Sequence, residues 1–264
     1  MAYQGGKRLN SEFICSCLNL GIFKGMRYLE PFVGYGHILR RVVEKESYVA
    51  SDYNSLLMCL LNSIRLGVSI PRISRSEYYL LKDVGGISLR RAVAAFTYSF
   101  NGKEWGGYVG KYKSCGIDRD PCGERRRYYE KLYENDTFQK TKLSKRGKDY
   151  KSYKPNKMLI YCDPPYENTE GYGRQGNDFI EFDHQEFWDV MREWSKDNVV
   201  FISEYKAPKD FVCIASQKKH MSFSGKGSES TRTERLFIHK KCKKHLKELS
   251  KIQDEPLPKW VEKL

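Results

Sequence analysis

The stretch that most limits how this chain can fold is Met158-Leu159-Ile160-Tyr161-Cys162-Asp163-Pro164-Pro165-Tyr166. Its apolar, β-prone first half reads as a buried strand. Asp163 then stands at the carboxyl end of that strand, where α/β sheets hold their ligands. Pro164 and Pro165 carry no backbone N–H and fix φ, so the turn is stiff and its carbonyls stay available as acceptors. Tyr166 adds a flat face. An acidic acceptor, free carbonyls and a ring in one rigid turn suit a planar heterocycle bearing an NH2 group, which would donate both hydrogens and be held by stacking.

With 264 residues the chain can bury the core of one α/β domain and still carry a smaller insertion. A net charge of +14 and a pI near 9.3 argue for a polyanionic partner, nucleic acid before an anionic membrane surface. No segment is long and apolar enough to span a bilayer, and no charged-then-apolar leader opens the sequence, so an intracellular, non-secreted protein is expected. The eight cysteines are scattered, and Cys15, Cys17, Cys59, Cys162 and Cys213 fall inside apolar segments, as small core residues do in a reducing compartment. Neither Cys15 with Cys17 nor Cys115 with Cys122 has the paired spacing of a zinc site, and Cys242 with His245 is a lone pair. No metal site is expected.

Near the start, Tyr3-Gln4-Gly5-Gly6-Lys7 combines a stacking ring, two glycines that let backbone approach a ligand, and a cation able to neutralise a carboxylate. A capped amphipathic helix runs from Asn10 or Ser11 to Gly21, and Met26 to Leu29 reads as a strand. The loop Glu30-Pro31-Phe32-Val33-Gly34-Tyr35-Gly36 follows, and the pattern from His37 to about Glu46 is helical. Strand, glycine loop and helix make the first unit of a Rossmann-like nucleotide site. The loop lacks the full spacing of dinucleotide folds, which fits a methionine-bearing cofactor with no pyrophosphate to cradle. A second strand, Tyr48 to Ser51, ends at Asp52 ahead of a long apolar helix through Leu56, Leu57, Leu60, Leu61 and Ile64. Asp52 could cap that helix or accept hydrogen bonds from both hydroxyls of a ribose; its position about twenty residues past the glycine loop favours the ribose.

A helix over Ser88 to Phe100 leads into a stretch from Tyr98 to Tyr112 in which glycines alternate with aromatics, the composition of a loop that ligands approach. From Lys111 to Lys157 the periodicity fades and cations gather, with Tyr128, Tyr129, Tyr133, Tyr150 and Tyr153 between them. Such a run is either a solvated loop or a surface that binds phosphates and reaches base edges. Beyond Tyr166, residues 167–178 have three glycines and no core pattern, as in a loop that orders over a ligand. Asp183 caps a further helix, strands follow at Val199–Ser203, Phe211–Ala215 and Leu236–Ile238, and a lysine-rich tail begins at Lys240. That tail is equally a solvated helix face or a second phosphate contact. His184 and His220 read as a cap or satisfied surface groups.

Asp163-Pro164-Pro165-Tyr166 resembles the catalytic motif of amino-methylating DNA methyltransferases. With Glu30-Pro31-Phe32-x-Gly34-x-Gly36, the aromatic-x-Gly-Gly-Lys run at Tyr3 to Lys7, the Phe100-Asn101-Gly102 loop and the closing segment Thr231 to Leu236, the chain looks like the Dam-like DNA adenine-N6 methyltransferase family. The resemblance implies an α/β, Rossmann-like S-adenosylmethionine-dependent fold with an inserted basic target-recognition region. Residues 1–100 would form the cofactor-binding half, 101–157 the insertion, and 158–264 the catalytic half with its basic tail. It implies cofactor contacts from Tyr3, Gly6, Lys7, Glu30, Phe32, Gly34, Gly36, Asp52, Phe100 and Asp163, with Phe100 and Asn101 near the adenosine or the target base. Catalysis would fall to Asp163, Pro164, Pro165 and Tyr166, and DNA contacts to Lys113, Arg119, Arg125, Arg126, Lys145, Arg146 and Arg232. Lys103-Glu104-Trp105 departs from the family's wording and receives no role. Double-stranded DNA is the implied partner, and a cognate restriction endonuclease is a further candidate. Cytosine-N4 methylation is the alternative reading, although its members more often place Ser before Pro-Pro-Tyr. RNA or protein-amide methylation is more distant. A catalytically silent DNA-binding module would be expected to have a degraded cofactor loop.

Overall fold

The computed structural model describes residues 11–166, 174–175, 178–179, 182–221 and 230–264; side chains at 174–175, 178–179, 219–221 and 230–232 are outside the description. The chain opens with helix α1 (Ser11–Leu18) and strands β1 (Arg27–Glu30) and β2 (Ser47–Ala50). Helices α2 (Ser55–Arg65), α3 (Arg75–Asp83) and α4 (Leu89–Thr97) come next, then the hairpin strands β3 (Tyr112–Ser114) and β4 (Ile117–Arg119). After them stand α5 (Pro121–Tyr133), α6 (Asp136–Lys140), β5 (Lys142–Leu143) and β6 (Met158–Cys162). Two short strands, β7 (Arg174–Gln175) and β8 (Asp178–Phe179), precede α7 (His184–Trp194), β9 (Val199–Glu204), β10 (Phe211–Met221), β11 (Ser230–His239) and α8 (Cys242–Gln253).

Local chemistry starts most of the helices. Asn54, Ser74, Ser88, Asp120, Asn135 and Asp183 each accept, through the side chain, the backbone N–H three residues on. Each such cap stabilises its helix by about 1 kcal/mol.

The described residues form two compact units. One is drawn from Pro31–Arg41 and Val49–Tyr150, the other from residues 11–30, Val42–Tyr48 and Lys151–Leu264. In the second unit β6 runs parallel to β1, with Leu29 beside Ile160, and parallel to β9, with Cys162 beside Ile202. Next to β9 lies β11, antiparallel, and next to that β10, with a bulge between Cys213 and Ala215. All five residues of β6 are buried, as expected of a strand covered on both faces. Asn198 fixes its start by accepting the Met158 N–H at 3.0 Å and donating to the carbonyls of Pro155 and Trp194. Helix α7 buries Phe187, Trp188, Met191 and Trp194, with the Trp188 ring 4.8 Å from that of Phe211.

In the first unit the end of β2 pairs in parallel with β5, Ala50 opposite Leu143. The apolar faces of α2, α4 and α5 close around Leu57, Leu61, Val93, Phe96 and Leu132, all buried. Parallel strands flanked by helices, with an antiparallel pair at the edge, make this an α/β protein of Rossmann-like type.

One expectation changes. The helix read from His37 to Glu46 is a single 3-10 turn at Leu39–Arg41. Backbone groups that a helix would use internally go elsewhere: the Val43 N–H donates to the Asn19 side chain, and Glu44, at φ 54°, accepts the Gly25 N–H. Ile38, Leu39 and Val42 are buried all the same, so the apolar spacing was real and its cause was not helical. Residues 101–150 share a compact unit with Val49 to Phe100. Helix α5 turns Cys122, Arg125, Tyr129 and Leu132 inward, and the Tyr129 hydroxyl lies 3.0 Å from that of Thr97. Residues 167–178, expected to be a loop, lie outside the described residues except for the paired β7 and β8. Among the described residues no helix is long and apolar enough to cross a membrane.

Candidate active site

The acidic turn belongs to the second unit, where β6 delivers Asp163 with Pro164 buried beside it. Beneath the turn, the Tyr161 hydroxyl lies 2.8 Å from Ser203 Oγ. The Tyr166 hydroxyl donates to Glu234 Oε1, and its ring meets Tyr205 edge-on, centroids 4.6 Å apart. Burial, with the Asp163 and Glu234 carboxylates adding to it, pushes the Tyr166 phenol well above its ordinary pKa, so it remains a neutral donor. Glu30, at the end of β1, is buried and accepts the Tyr28 hydroxyl at 2.7 Å.

The glycine loop belongs to the first unit. Gly34 and Gly36 have φ of 50° and 69°, a region where a side chain is strained, so the loop's curvature depends on glycine. Asp52 ties the loop to the start of α2: Oδ2 accepts the Gly34 N–H at 3.1 Å and Oδ1 the Asn54 N–H at 3.0 Å. Asn54, not Asp52, caps α2, accepting the Leu57 N–H at 3.0 Å. A carboxylate has about four acceptor positions, so Asp52 keeps at least one for a hydroxyl donor. Burial raises the Asp52 pKa against the pull of the N–H groups of Asn54, Gly34 and Tyr53. The Phe32 ring packs 5.2 Å from Tyr150.

Glu104 was missed by sequence reasoning. Its Oε2 accepts from Asn54 Nδ2 at 2.6 Å, so one asparagine binds both Asp52 and Glu104. Burial raises the Glu104 pKa, and the nearby Asp52 charge adds to the rise. No local signal marks it, because Asn54 and Glu104 are 50 positions apart.

Phe100 is 56% exposed and lines a cleft of about 320 Å³ with Asn101, Tyr112, Arg119 and Arg125. Lys113, Arg119, Lys145 and Arg146 are exposed. Arg125 and Arg126 already have partners within the fold. Arg125 is only 3% exposed and donates to the Thr97 carbonyl, while Arg126 donates to the carbonyls of Ile70 and Pro71 and to the Tyr98 hydroxyl. Both guanidiniums are engaged by backbone carbonyls. Arg232 lies on β11, its side chain outside the description, and Tyr3, Gly6 and Lys7 precede the described residues.

Residues 3–80 match the D12 class N6 adenine-specific DNA methyltransferase family. The match bears out the resemblance carried by the motifs. It spans the D12 segment from Tyr3 through the glycine loop and Asp52 into α3, and it supports a methyltransferase with S-adenosylmethionine as the implied donor. The Asp163 turn lies beyond the residues matched to the D12 class. No curated protein matches the chain. Among solved structures, a Pyrococcus horikoshii protein provisionally described as an RNA methyltransferase is similar at 10% identity and TM-score 0.43, over 89% of this chain and 85% of that one. The rRNA methyltransferase aviRa from Streptomyces viridochromogenes is similar at 15% identity and TM-score 0.39, over 90% and 86%. Superpositions this loose transfer neither activity nor substrate.

Proposed function

We propose that the chain methylates the exocyclic N6 amine of adenine in double-stranded DNA, acting on a base turned out of the duplex. The single observation that carries this reading is the Asp163-Pro164-Pro165-Tyr166 turn at the end of the fully buried strand β6. S-adenosylmethionine would supply an electrophilic methyl group: as the N–C bond forms the S–C bond breaks, the thioether leaves, and the methylated amine gives one proton to solvent. The residues present fit this donor: Asp52 keeps an acceptor position for a ribose hydroxyl, Gly34 and Gly36 carry no side chains to block close approach, and Phe32 offers a ring. The Asp163 carboxylate and the Pro164 carbonyl accept the two amine hydrogens, which draws the nitrogen toward sp³ geometry and aims its lone pair outward. Tyr166 lies against the heterocycle. Positioning and electrostatics supply the rate, with no cysteine nucleophile in the step.

Extruding a base costs roughly a few kcal/mol. Phosphate contacts by the exposed Lys113, Arg119, Lys145 and Arg146, with Arg232, offset that cost, and Phe100 and Tyr112 offer faces on which bases stack. Asp163 in place of Ser favours adenine over cytosine. An intracellular setting follows from the substrate, and a restriction endonuclease directed at the same sequence is the partner whose cutting this methylation would block.

Labelled methyl transfer to DNA, RNA and protein, followed by base analysis, tests the reading. N6-methyladenine in DNA is expected; N4-methylcytosine would replace the base assignment, and label confined to RNA or protein would end it. Asp163→Ala should bind DNA as before and lose transfer by at least about a hundredfold, the scale of one pre-organised electrostatic contact. Substantial residual transfer would remove Asp163 from this role.

A further inference from the structure

Glu234 is a buried carboxylate. It lies on β11 at 4% exposure and shares a face of the strand with the fully buried Leu236. Burying a charge is costly unless it is hydrogen-bonded, and the Tyr166 hydroxyl donates to it. The surrounding frame is fixed by pairing: Leu236 stands opposite Ser203 and Arg235 opposite Glu204 on β9. Arg235 also donates to the Tyr205 carbonyl at 2.6 Å, which sets the residue whose ring meets Tyr166 edge-on. Tyr166 is therefore held at its hydroxyl end by Glu234 and along its ring by Tyr205.

We infer that Glu234 is a positioning residue for methyl transfer, fixing the plane of the Tyr166 ring through its hydroxyl so that the ring face is preset for the target base. The inference rests on the reading of the Asp163 turn as the amine-binding site. A ring held at two points does not have to be ordered when the base arrives, so its contact is available to the transition state at no conformational cost. On this inference Glu234 acts through Tyr166, so removing either partner should cost the same step.

Steady-state transfer of labelled methyl from S-adenosylmethionine to unmethylated plasmid DNA, with the full chain, tests this by a double-mutant cycle. Glu234→Leu and Tyr166→Phe should each lower kcat by about tenfold with the donor KM within about twofold, and the double variant should lose no more than either alone. Glu234→Gln, whose oxygen still accepts, should stay within about threefold of the parent. Losses that multiply in the double variant, a Gln variant as weak as the Leu variant, or a Tyr166→Phe enzyme at the parental rate would each overturn the inference. Should Glu234→Leu fail to fold by thermal melting, the Gln and Phe variants decide alone. A parent chain with no transfer would sink the methyltransferase reading; a working parent with multiplying losses would sink only Glu234.

Discussion

Asp52 commits acceptor positions on both oxygens to backbone N–H groups, and this fixes what a substitution does there. Asp52→Asn preserves the shape but removes the charge and turns one oxygen into an NH2 group facing a donor. Charged hydrogen bonds are worth about 1.5–3 kcal/mol, so affinity for S-adenosylmethionine should fall by roughly ten- to a hundredfold in calorimetric titration. Unchanged affinity would leave Asp52 a purely structural tie. Glu104, bonded to the same asparagine, makes a different prediction. Its folded pKa is raised, so its contribution to stability is fully present below the ordinary carboxylate range and is lost as pH rises through the folded value. Glu104→Gln should therefore gain urea resistance over the parent as pH is taken from about 4 to 7. Parallel curves for the two proteins would refute this. Asp52 was legible in the sequence because a strand, its terminal acid and the next helix are contiguous. Glu104 was not, because only the folded chain brings it to Asn54.

Helix α5 shows the same limit at the scale of an element. Its start is written in Asp120-Pro121, a capping acid followed by a proline with no N–H to waste, yet its inward face includes an arginine where an apolar residue would be expected. A basic run with that irregular face looks like loop. The β6 strand, by contrast, was legible because burial on both faces leaves an unbroken apolar run. Thr97, at the end of α4, receives the Arg125 guanidinium on its carbonyl, so the arginine ties two helices that already pack on each other. Arg125→Met keeps much of the bulk and removes the donor. It should destabilise the chain by about 1–3 kcal/mol in urea unfolding, the cost of an unpaired buried acceptor. If stability were unchanged, the guanidinium would not be contributing to the fold.

At the scale of the whole chain, a net charge of +14 predicts DNA binding that weakens steeply with salt, but not every cation contributes equally. Each phosphate neutralised by a lysine or arginine releases counterions, so the logarithm of the affinity falls with the logarithm of salt by about 0.9 per contact on duplex DNA. The structure divides the basic residues into two groups. Arg125 and Arg126 donate to backbone carbonyls of the fold, whereas Lys113, Arg119, Lys145 and Arg146 are exposed. Replacing Lys113 and Arg119 on the β3–β4 hairpin by alanine should reduce the salt slope by about 2 if both meet phosphates, measured by fluorescence anisotropy on a random-sequence duplex. Arg125→Met should leave that slope where it is, because a group already bonded to Thr97 releases no counterion. A flattened slope in the Arg125 variant would mean that the helix gives up its arginine on binding, and an unchanged slope in the hairpin variant would move the phosphate contacts away from β3 and β4.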